Sequence, residues 1–299
     1  MAQTAVVDAD TGLSHQELAR RHGLTAAGRL PSLLEYSRHL WSYRHFIAAF
    51  ANAKVTASLG STRLGVVWQV LTPLINAGVY YVIFGLLIKT GSGRIENFVA
   101  YLCAGVFIFG FTQSVVQAGA QAITGNMGLI RALHFPRASL PIAIALVEVR
   151  NMVASIVVLL SIMLLTGEPL TFQWLMIFPV LLLQIIFNAG LALFVSRLGA
   201  KVHDIRQLIP YIMRIWMYGS AILYPVSFFA ERVHGWQLAV VEANPLLIFI
   251  ELTRHSLMEG ITLAGPPGRL WIEAVIWTLL VGIGGYVYFW RGEKGYGRG

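Results

Sequence analysis

The sequence predicts an all-α membrane protein with six transmembrane helices. Hydrophobic residues make up 57% of its 299 residues, and the mean hydropathy is +0.67. Charged residues make up only 12%, about half of their share in an average soluble domain. The apolar residues also lie in runs that approach the ~20 residues a helix needs to cross a bilayer. A water-soluble surface cannot be built from this composition, so most of the chain must face lipid.

Six apolar segments carry this prediction, and the fifth is the weakest of them. It contains Pro210 and Arg214, and it is short for a spanning helix. The predicted spans are residues 66–88, 98–118, 141–165, 174–194, 209–224 and 271–290.

The distribution of basic residues predicts the orientation. Of 22 Lys and Arg residues, 15 lie before the first span, in the second and fourth connections, or after the last span, and five lie on the other side. Because positive charge accumulates on the cytoplasmic side, both termini are expected in the cytoplasm and the protein in the plasma membrane. The net charge of +8 is then explained by anionic lipid headgroups rather than by nucleic acid.

The chain divides into four predicted parts. Residues 1–30 form a polar cytoplasmic tail, 31–64 an amphipathic helix along the membrane interface, 65–291 the transmembrane domain, and 292–299 a second cytoplasmic tail. The amphipathic helix could instead be a soluble helix packed on a partner. Its apolar face comprises Leu33, Tyr36, Leu40, Ile47 and Phe50.

The last outer connection, residues 226–270, contains signals for short helices. Asn244 can cap a helix that has Pro245 at its first position, and Gly260 can end it. The apolar stretch at 246–252 is too short to cross the membrane. We therefore expect a pair of short helices that are either re-entrant or lie on the membrane surface.

Several kinds of chemistry are missing from the sequence. It has no phosphate-binding loop of the G-x-x-x-x-G-K-[ST] type, no zinc-ligand spacing, and a single cysteine, Cys103. Glu148 and Glu273 are the carboxylates near predicted spans. Glu148 lies two residues from Arg150, so the side chains of Glu148 and Arg150 point in different directions on a helix. Neither carboxylate makes a proton relay. This chain is therefore not expected to hydrolyse ATP itself, and no cofactor is expected on it.

Five stretches resemble the ABC-2 type permeases that export O-antigen, teichoic acid and capsule. They are TRLGVVWQVLTPL at 62–74, NMGLIRALHFPRASLP at 126–141, DIRQLIPYIMRIWMYGSAILYP at 204–225, NPL at 244–246 and the ending GYVYFWRGEKGYGRG. They occur in the family's order and cover roughly residues 40–299.

The resemblance implies partners. Such a chain pairs with a second copy of itself and with two ATPase subunits, which carry ATP and Mg. The second connection would then form a helix that couples to the ATPase; the alternative is an ordinary connector whose charges only fix the topology. The coupling residues would be Asn126, Leu129, Ile130, Arg131, His134, Phe135, Pro136 and Arg137.

The resemblance also implies a substrate, a polysaccharide linked to a polyprenyl diphosphate lipid. Sugar rings stack on aromatic rings, so a glycan path should be aromatic; the alternative is that these residues face lipid. Candidates for the path are Tyr80, Tyr81, Phe84, Tyr101, Phe107, Phe109, Trp216, Tyr218 and Tyr224. Arginine binds phosphate oxygens in a bidentate manner, and the candidates for the diphosphate are Arg38, Arg44, Arg63 and Arg214.

Two other interpretations remain open at the level of sequence. An exporter of a drug or small lipid would share the fold and the coupling but not the aromatic path. A scaffold or membrane enzyme would need no ATPase. Within the first interpretation, an actinobacterial cell-wall galactan is one glycan that the resemblance suggests.

Overall fold

The computed structural model describes residues 31–60, 65–87, 95–202, 204–232 and 234–295. Throughout these ranges the chain is helical or irregular, without a β-strand. The predicted tail 1–30 and Arg63 lie outside the described residues. The all-α prediction is confirmed for the part of the chain that the structure describes.

Twelve α-helices occur in the described ranges, and we number them in chain order. They are α1 Leu33–Ser42, α2 Arg44–Gly60, α3 Gly65–Tyr80, α4 Phe98–Gly119, α5 Met127–Ala132, α6 Ser139–Leu165, α7 Ile177–Lys201, α8 Ile205–Tyr218, α9 Ser227–Ala230, α10 Trp236–Glu242, α11 Pro245–Leu257 and α12 Pro267–Arg291. A π-helical stretch, Tyr81–Leu87, continues α3, and short 3-10 turns cover Thr124–Asn126, Phe172–Met176 and Glu293–Gly295.

Within the described ranges, four helices are long and apolar enough to span a membrane: α4, α6, the continuous helix Phe172–Lys201, and α12. The pair α10 and α11, bent by 61°, gives a fifth span if it is counted as one. Helix α8 has 14 residues, about 21 Å, and the chain then becomes irregular from Gly219 to Pro225. The structure therefore supports four or five apolar spans, and the count of six stays a prediction.

Helix α4 is the centre of the bundle. Of its apolar window 78% is buried, against 22% for α6 and for α12. It packs against α6, α7 and α11, and the buried amide of Gln184 on α7 donates to the Ile108 carbonyl (2.9 Å) and to Thr112 (3.1 Å) of α4. Residues on several faces of α4 therefore contact other helices rather than lipid.

Helices α7 and α12 form the most extensive pair, and two glycines set their distance. A Cβ added at Gly190 would lie 2.3 Å from the Val281 carbonyl oxygen, and one added at Gly285 would lie 2.2 Å from the Gly190 carbonyl oxygen. The two backbones are in direct contact, as small residues allow in membrane helices.

The N-terminal helices pack on one end of the bundle, which also carries the 120–138 connection and which we call the lower end. Ser32 caps α1 by accepting from Glu35 N–H (3.3 Å). Tyr36 is 2% exposed, and Leu40 and Phe50 pack half-buried against Ile123, Ile130, Leu140 and Phe289. Part of the predicted apolar face is thus covered by protein; its placement at a membrane interface stays a prediction.

The glycine contact between α7 and α12 can be tested in matched variants. Gly285→Ala should lower the free energy of unfolding by about 2 kcal/mol, because the new methyl group overpacks the helix crossing. Gly284→Ala, one residue away with nothing within 4 Å of its Cβ position, should change it by less than ~0.5 kcal/mol. The measurement is unfolding of the purified proteins in detergent. Equal stability of the two variants would show that the helices are not in backbone contact.

Candidate functional site

The lower end holds a hydrogen-bonded cluster that joins three distant parts of the chain. The Glu293 carboxylate accepts from the Tyr36 hydroxyl (2.8 Å) and from Arg137 N–H (2.9 Å). The Arg137 guanidinium donates to the Glu293 carbonyl oxygen, and the Tyr36 hydroxyl accepts from Ala138 N–H (3.3 Å). The N-terminal helix, the 120–138 connection and the C-terminal turn are therefore fastened to one another.

The electrostatics of this cluster follow from burial. Burial raises the pKa of the Glu293 carboxyl above its ordinary value, while the hydrogen bonds from Arg137 and Tyr36 act against the rise. Burial, and then the neighbouring carboxylate, raises the pKa of the Tyr36 hydroxyl. Tyr36 thus stays protonated and remains a hydrogen-bond donor at neutral pH.

The predicted coupling residues separate into anchors and surface. Ile130 and Pro136 are buried, and the Phe135 ring lies 5.0 Å from the Phe46 ring. Arg137 N–H donates to the Glu293 carboxylate, and the Asn126 amide donates to the Ala122 carbonyl (2.8 Å). Leu129 is half-buried. Arg131 and His134 are exposed, as is Leu133, which the sequence did not single out. Leu133 is 51% exposed, so it forms the apolar part of this surface.

A buried arginine fastens the irregular segment that follows α8. Arg254 on α11 is fully buried and donates to the carbonyl oxygens of Tyr101 (3.2 Å), Ala221 (3.0 Å) and Ile222 (3.2 Å). It also pairs with Glu251 at 3.1 Å, and its guanidinium carbon lies 3.3 Å from the centroid of the Tyr101 ring. The guanidinium can satisfy several carbonyls at once because it carries five N–H donors.

Neighbouring residues complete this anchor. Gly105 leaves room for it, since a Cβ there would lie 2.9 Å from the Arg254 guanidinium. Ala221 has a positive φ of 51°, which is unusual for a residue with a side chain; its carbonyl also accepts from the Tyr101 hydroxyl (3.4 Å). The second Glu251 oxygen accepts from Ala264 N–H (3.3 Å). The anchor therefore joins α4, α11 and the segment after α8.

Asn244 forms a second set of hydrogen bonds, which joins the start of α11 to the end of α8. Its side-chain oxygen accepts from Leu246 N–H (3.1 Å) and from the Trp216 indole (2.8 Å). Its amide nitrogen donates to the Gly219 carbonyl (2.9 Å) and to Ser220 (3.0 Å). The predicted cap at Asn244 is confirmed. Because eleven of the thirteen α11 residues are buried, α11 enters the bundle and does not lie on the membrane surface.

The bundle contains a cleft between α3, α4 and α6. Its upper part has a volume of about 370 Å³, and its lining includes Met217 and Ile222. Aromatic rings border it, and the Tyr80 hydroxyl donates to the Met217 sulfur (3.5 Å). Its lining also includes polar side chains on two helices: Gln113, Ser114 and Gln117 on α4, and Glu148, Asn151 and Ser155 on α6.

The cleft continues to the lower end. A second cavity of about 700 Å³ shares Ser114, Gln117, Glu148 and Asn151 with the first, and is further lined by Lys54, Gln121 and Asn126. Asn126 belongs to the 120–138 connection, so this polar passage reaches the connection predicted to meet the ATPase. Such residues are costly inside a membrane unless they face a watery cavity.

The structure places the predicted glycan-path residues in three groups. Tyr80, Phe107 and Phe109 line the cleft. Tyr101, Trp216 and Tyr224 take part in the hydrogen bonds around the start of α11 and the segment after α8. Tyr224 also donates to the Tyr218 carbonyl, and its ring lies 4.8 Å from the Phe228 ring. Tyr81 and Phe84 pack against the core, with the Tyr81 ring 6.4 Å from Phe98, and Tyr218 is 46% exposed.

Three of the four arginines predicted to bind a diphosphate lie in the described ranges, on α1, α2 and α8. Arg38 and Arg44 are exposed near the end of α1 and the start of α2, and the Arg44 guanidinium lies 5.7 Å from the Trp41 ring. Arg214 is exposed on α8. Their role in binding phosphate stays a prediction.

Comparison with known proteins decides the family. A family model described as ABC-2 type transporter matches residues 47–258, well over half of the chain. The chain belongs to the ABC-2 type transporter family. This match covers the 120–138 connection, the cleft and the Arg254 anchor of the permease.

Relatives agree with the resemblance seen in the sequence. The permease is 23% identical over 216 residues to the O-antigen export system permease protein RfbA of Myxococcus xanthus, covering 72% of this chain and 81% of the relative. It is 23% identical over 235 residues to the protein of the same name from Klebsiella pneumoniae, covering 78% and 88%. The polysialic acid transport protein KpsM of Escherichia coli is 24% identical over 234 residues, covering 78% and 89%. The permease is thus a membrane subunit related to polysaccharide exporters.

The Arg254 anchor can be tested by replacement. Arg254→Leu leaves the Glu251 carboxylate buried without its partner, so it should destabilise the permease by about 3–5 kcal/mol. The control Arg232→Leu removes a guanidinium from a largely exposed surface pair, which is worth ~1 kcal/mol or less. The measurement is the fraction of monodisperse permease recovered after heating, followed by size-exclusion chromatography. Equal recovery of the two variants would contradict the anchor.

Proposed function

We propose that this chain is the permease subunit of an ATP-driven exporter that moves a lipid-linked polysaccharide from the cytoplasm across the plasma membrane. Two copies would work with two ATPase subunits, which bind ATP and Mg. The observation that carries the proposal is the polar and aromatic cleft that opens at the same end as the coupling connection. The names of the relatives, O-antigen export and polysialic acid transport, support a polysaccharide as the cargo.

The chemistry of the cleft fits a sugar better than a lipid or drug. A sugar ring presents C–H groups on its faces and hydroxyl groups around its edge. The rings of Tyr80 and Phe107 suit the faces, and the amides of Gln113 and Gln117 suit the hydroxyls. A small apolar cargo would need neither the amides nor a carboxylate, because these groups are costly to keep in a membrane.

The lower end supports coupling to a separate ATPase. Leu133, with Arg131 and His134 beside it, offers an exposed apolar residue within a polar rim, as protein interfaces commonly do. The anchors Phe135 and Arg137 hold this surface to α2 and to the C-terminal turn. A push on Leu133 would therefore reach the N-terminal helices and α12 together.

The N-terminal helices carry two candidate ligands for the lipid part of the cargo. Arg38 and Arg44 lie exposed beside Trp41, which is 70% exposed, and an exposed tryptophan suits a membrane interface. We propose that these arginines meet the diphosphate of the carrier lipid there. A cell-wall galactan is one glycan consistent with the proposal.

Docking of the ATPase can be tested on its exposed surface. Leu133→Asp should reduce co-purification of the ATPase by at least tenfold, because a carboxylate would be buried against an apolar pocket. The control Leu170→Asp changes a leucine that is 73% exposed at the opposite end, and should leave co-purification unchanged. Equal co-purification by both variants would place the ATPase elsewhere.

Transport itself can be tested in inverted membrane vesicles. With the permease and its ATPase present, ATP should drive uptake of radiolabelled polyprenyl diphosphate-linked glycan, and vesicles without the permease should show none. Accumulation of a small lipid or drug with no uptake of glycan would contradict the proposed cargo and favour the alternative exporter.

A further inference from the structure

Glu148 is the only charged residue in the described lining of the upper cleft. Glu148 contributes a carboxylate, and the described lining of this part contains no lysine, arginine or histidine. The other polar groups are neutral amides and hydroxyls, which include Gln113, Gln117, Asn151 and Ser155. An uncharged polyhydroxylated molecule can hydrogen-bond to all of them, whereas an anion meets a carboxylate without a compensating cation.

Glu148 is held in place by its own helix. Asn151 donates to one of its carboxylate oxygens at 3.1 Å. Both residues line both parts of the cleft, so a glycan passing from the lower to the upper part must pass them. The carboxylate is a strong acceptor for sugar hydroxyls, because a hydrogen bond to an ionised group is about twice as strong as one between neutral groups.

Two basic residues around this part of the cleft have other contacts. Lys54 lines only the lower part, which it shares with Glu148, and its ammonium lies 5.7 Å from the Phe50 ring. Arg150 is two residues from Glu148 on α6, points away on the helix, and donates to the Asn52 side chain. In the upper part, the Glu148 carboxylate therefore faces the contents of the cleft without a cation in the described lining.

We propose that Glu148 is a specificity-determining residue that makes the cleft accept uncharged glycans and disfavour acidic ones. This inference rests on the proposed function, since it takes the cleft as the place where the glycan binds. An acidic sugar beside Glu148 brings two like charges together in a partly desolvated site, where repulsion is stronger than in water. A neutral sugar instead donates its hydroxyls to the carboxylate. The side chains of Gln117 and Asn151 would bind hydroxyls of the same sugar unit.

The test compares two glycan probes on the intact complex. The permease with its ATPase, in lipid nanodiscs, is titrated with a neutral galactose oligosaccharide and with an oligosialic acid of equal length. Wild type should bind the neutral probe at least about tenfold more tightly, a difference of ~1.4 kcal/mol. Glu148→Gln, which keeps the shape and loses the charge, should strengthen binding of the acidic probe to within about threefold of the neutral one. Glu148→Lys should reverse the preference.

A matched control separates local charge from net charge. Glu259→Gln removes a carboxylate from an exposed position outside the cleft and should leave the wild-type preference intact. Equal binding of both probes by wild type, or unchanged binding of the acidic probe by Glu148→Gln, would overturn the inference and leave the proposed function standing. Failure of wild type to bind either probe would overturn the inference, whereas the proposed function falls only if the vesicles show no ATP-driven uptake of the lipid-linked glycan.

Discussion

The described structure depends most on the buried guanidinium of Arg254. A charged group inside a membrane bundle is costly, and here three backbone carbonyls, Glu251 and the Tyr101 ring compensate for it. Two of these carbonyls, those of Ala221 and Ile222, are available because the chain leaves α8 at Gly219 and becomes irregular, while the third, that of Tyr101, lies in α4. Irregular backbone at membrane depth is tolerated only where protein or a cavity satisfies it. The same contacts position Ile222, which lines the cleft. The Arg254 anchor therefore holds the irregular segment, and the irregular segment in turn supplies part of the lining of the cleft.

Sequence reasoning located the long apolar helices because hydropathy over ~20 residues reports directly on lipid exposure. It left open whether α11 is re-entrant or lies on the membrane surface, because its apolar stretch is too short to span and the helix also carries Glu251 and Arg254. The charge count places Arg254 among the five basic residues on the side opposite the termini. Its partners are separated from it by as many as 153 positions, and no local pattern reports such a contact.

The cleft could have been found in part from the sequence. Gln113, Gln117 and Gln121 follow one another at intervals of four, as do Asn151 and Ser155, and they fall in or beside apolar runs. Such spacing places polar groups on one face of a helix. Sequence reasoning correctly separated Glu148 from Arg150, and the structure explains the difference: one lines the cleft and the other contacts Asn52. Which helices would face each other could not be read from spacing, because that depends on tertiary packing.

At the lower end, residues predicted together as one coupling region have different structural roles. The eight predicted coupling residues share one connection, yet Arg137 and Phe135 fasten it to the rest of the chain, and Leu133 offers the exposed apolar surface. The sequence motif shows only that these residues occur together along the chain. Burial in the structure distinguishes the residues that hold the connection in place from those whose side chains are exposed.

The central claim is that the glycan occupies the cleft between α4 and α6. The most direct measurement is protection of a single cysteine at Ser114, with the buried native Cys103 replaced by alanine. In the permease–ATPase complex, a membrane-impermeant thiol reagent should label Ser114→Cys. Lipid-linked glycan held by a non-hydrolysable ATP analogue should slow this labelling at least tenfold, while Ser161→Cys, which is exposed on α6 outside the cleft, should be unaffected. Labelling of Ser114→Cys at the same rate with and without glycan would contradict the account.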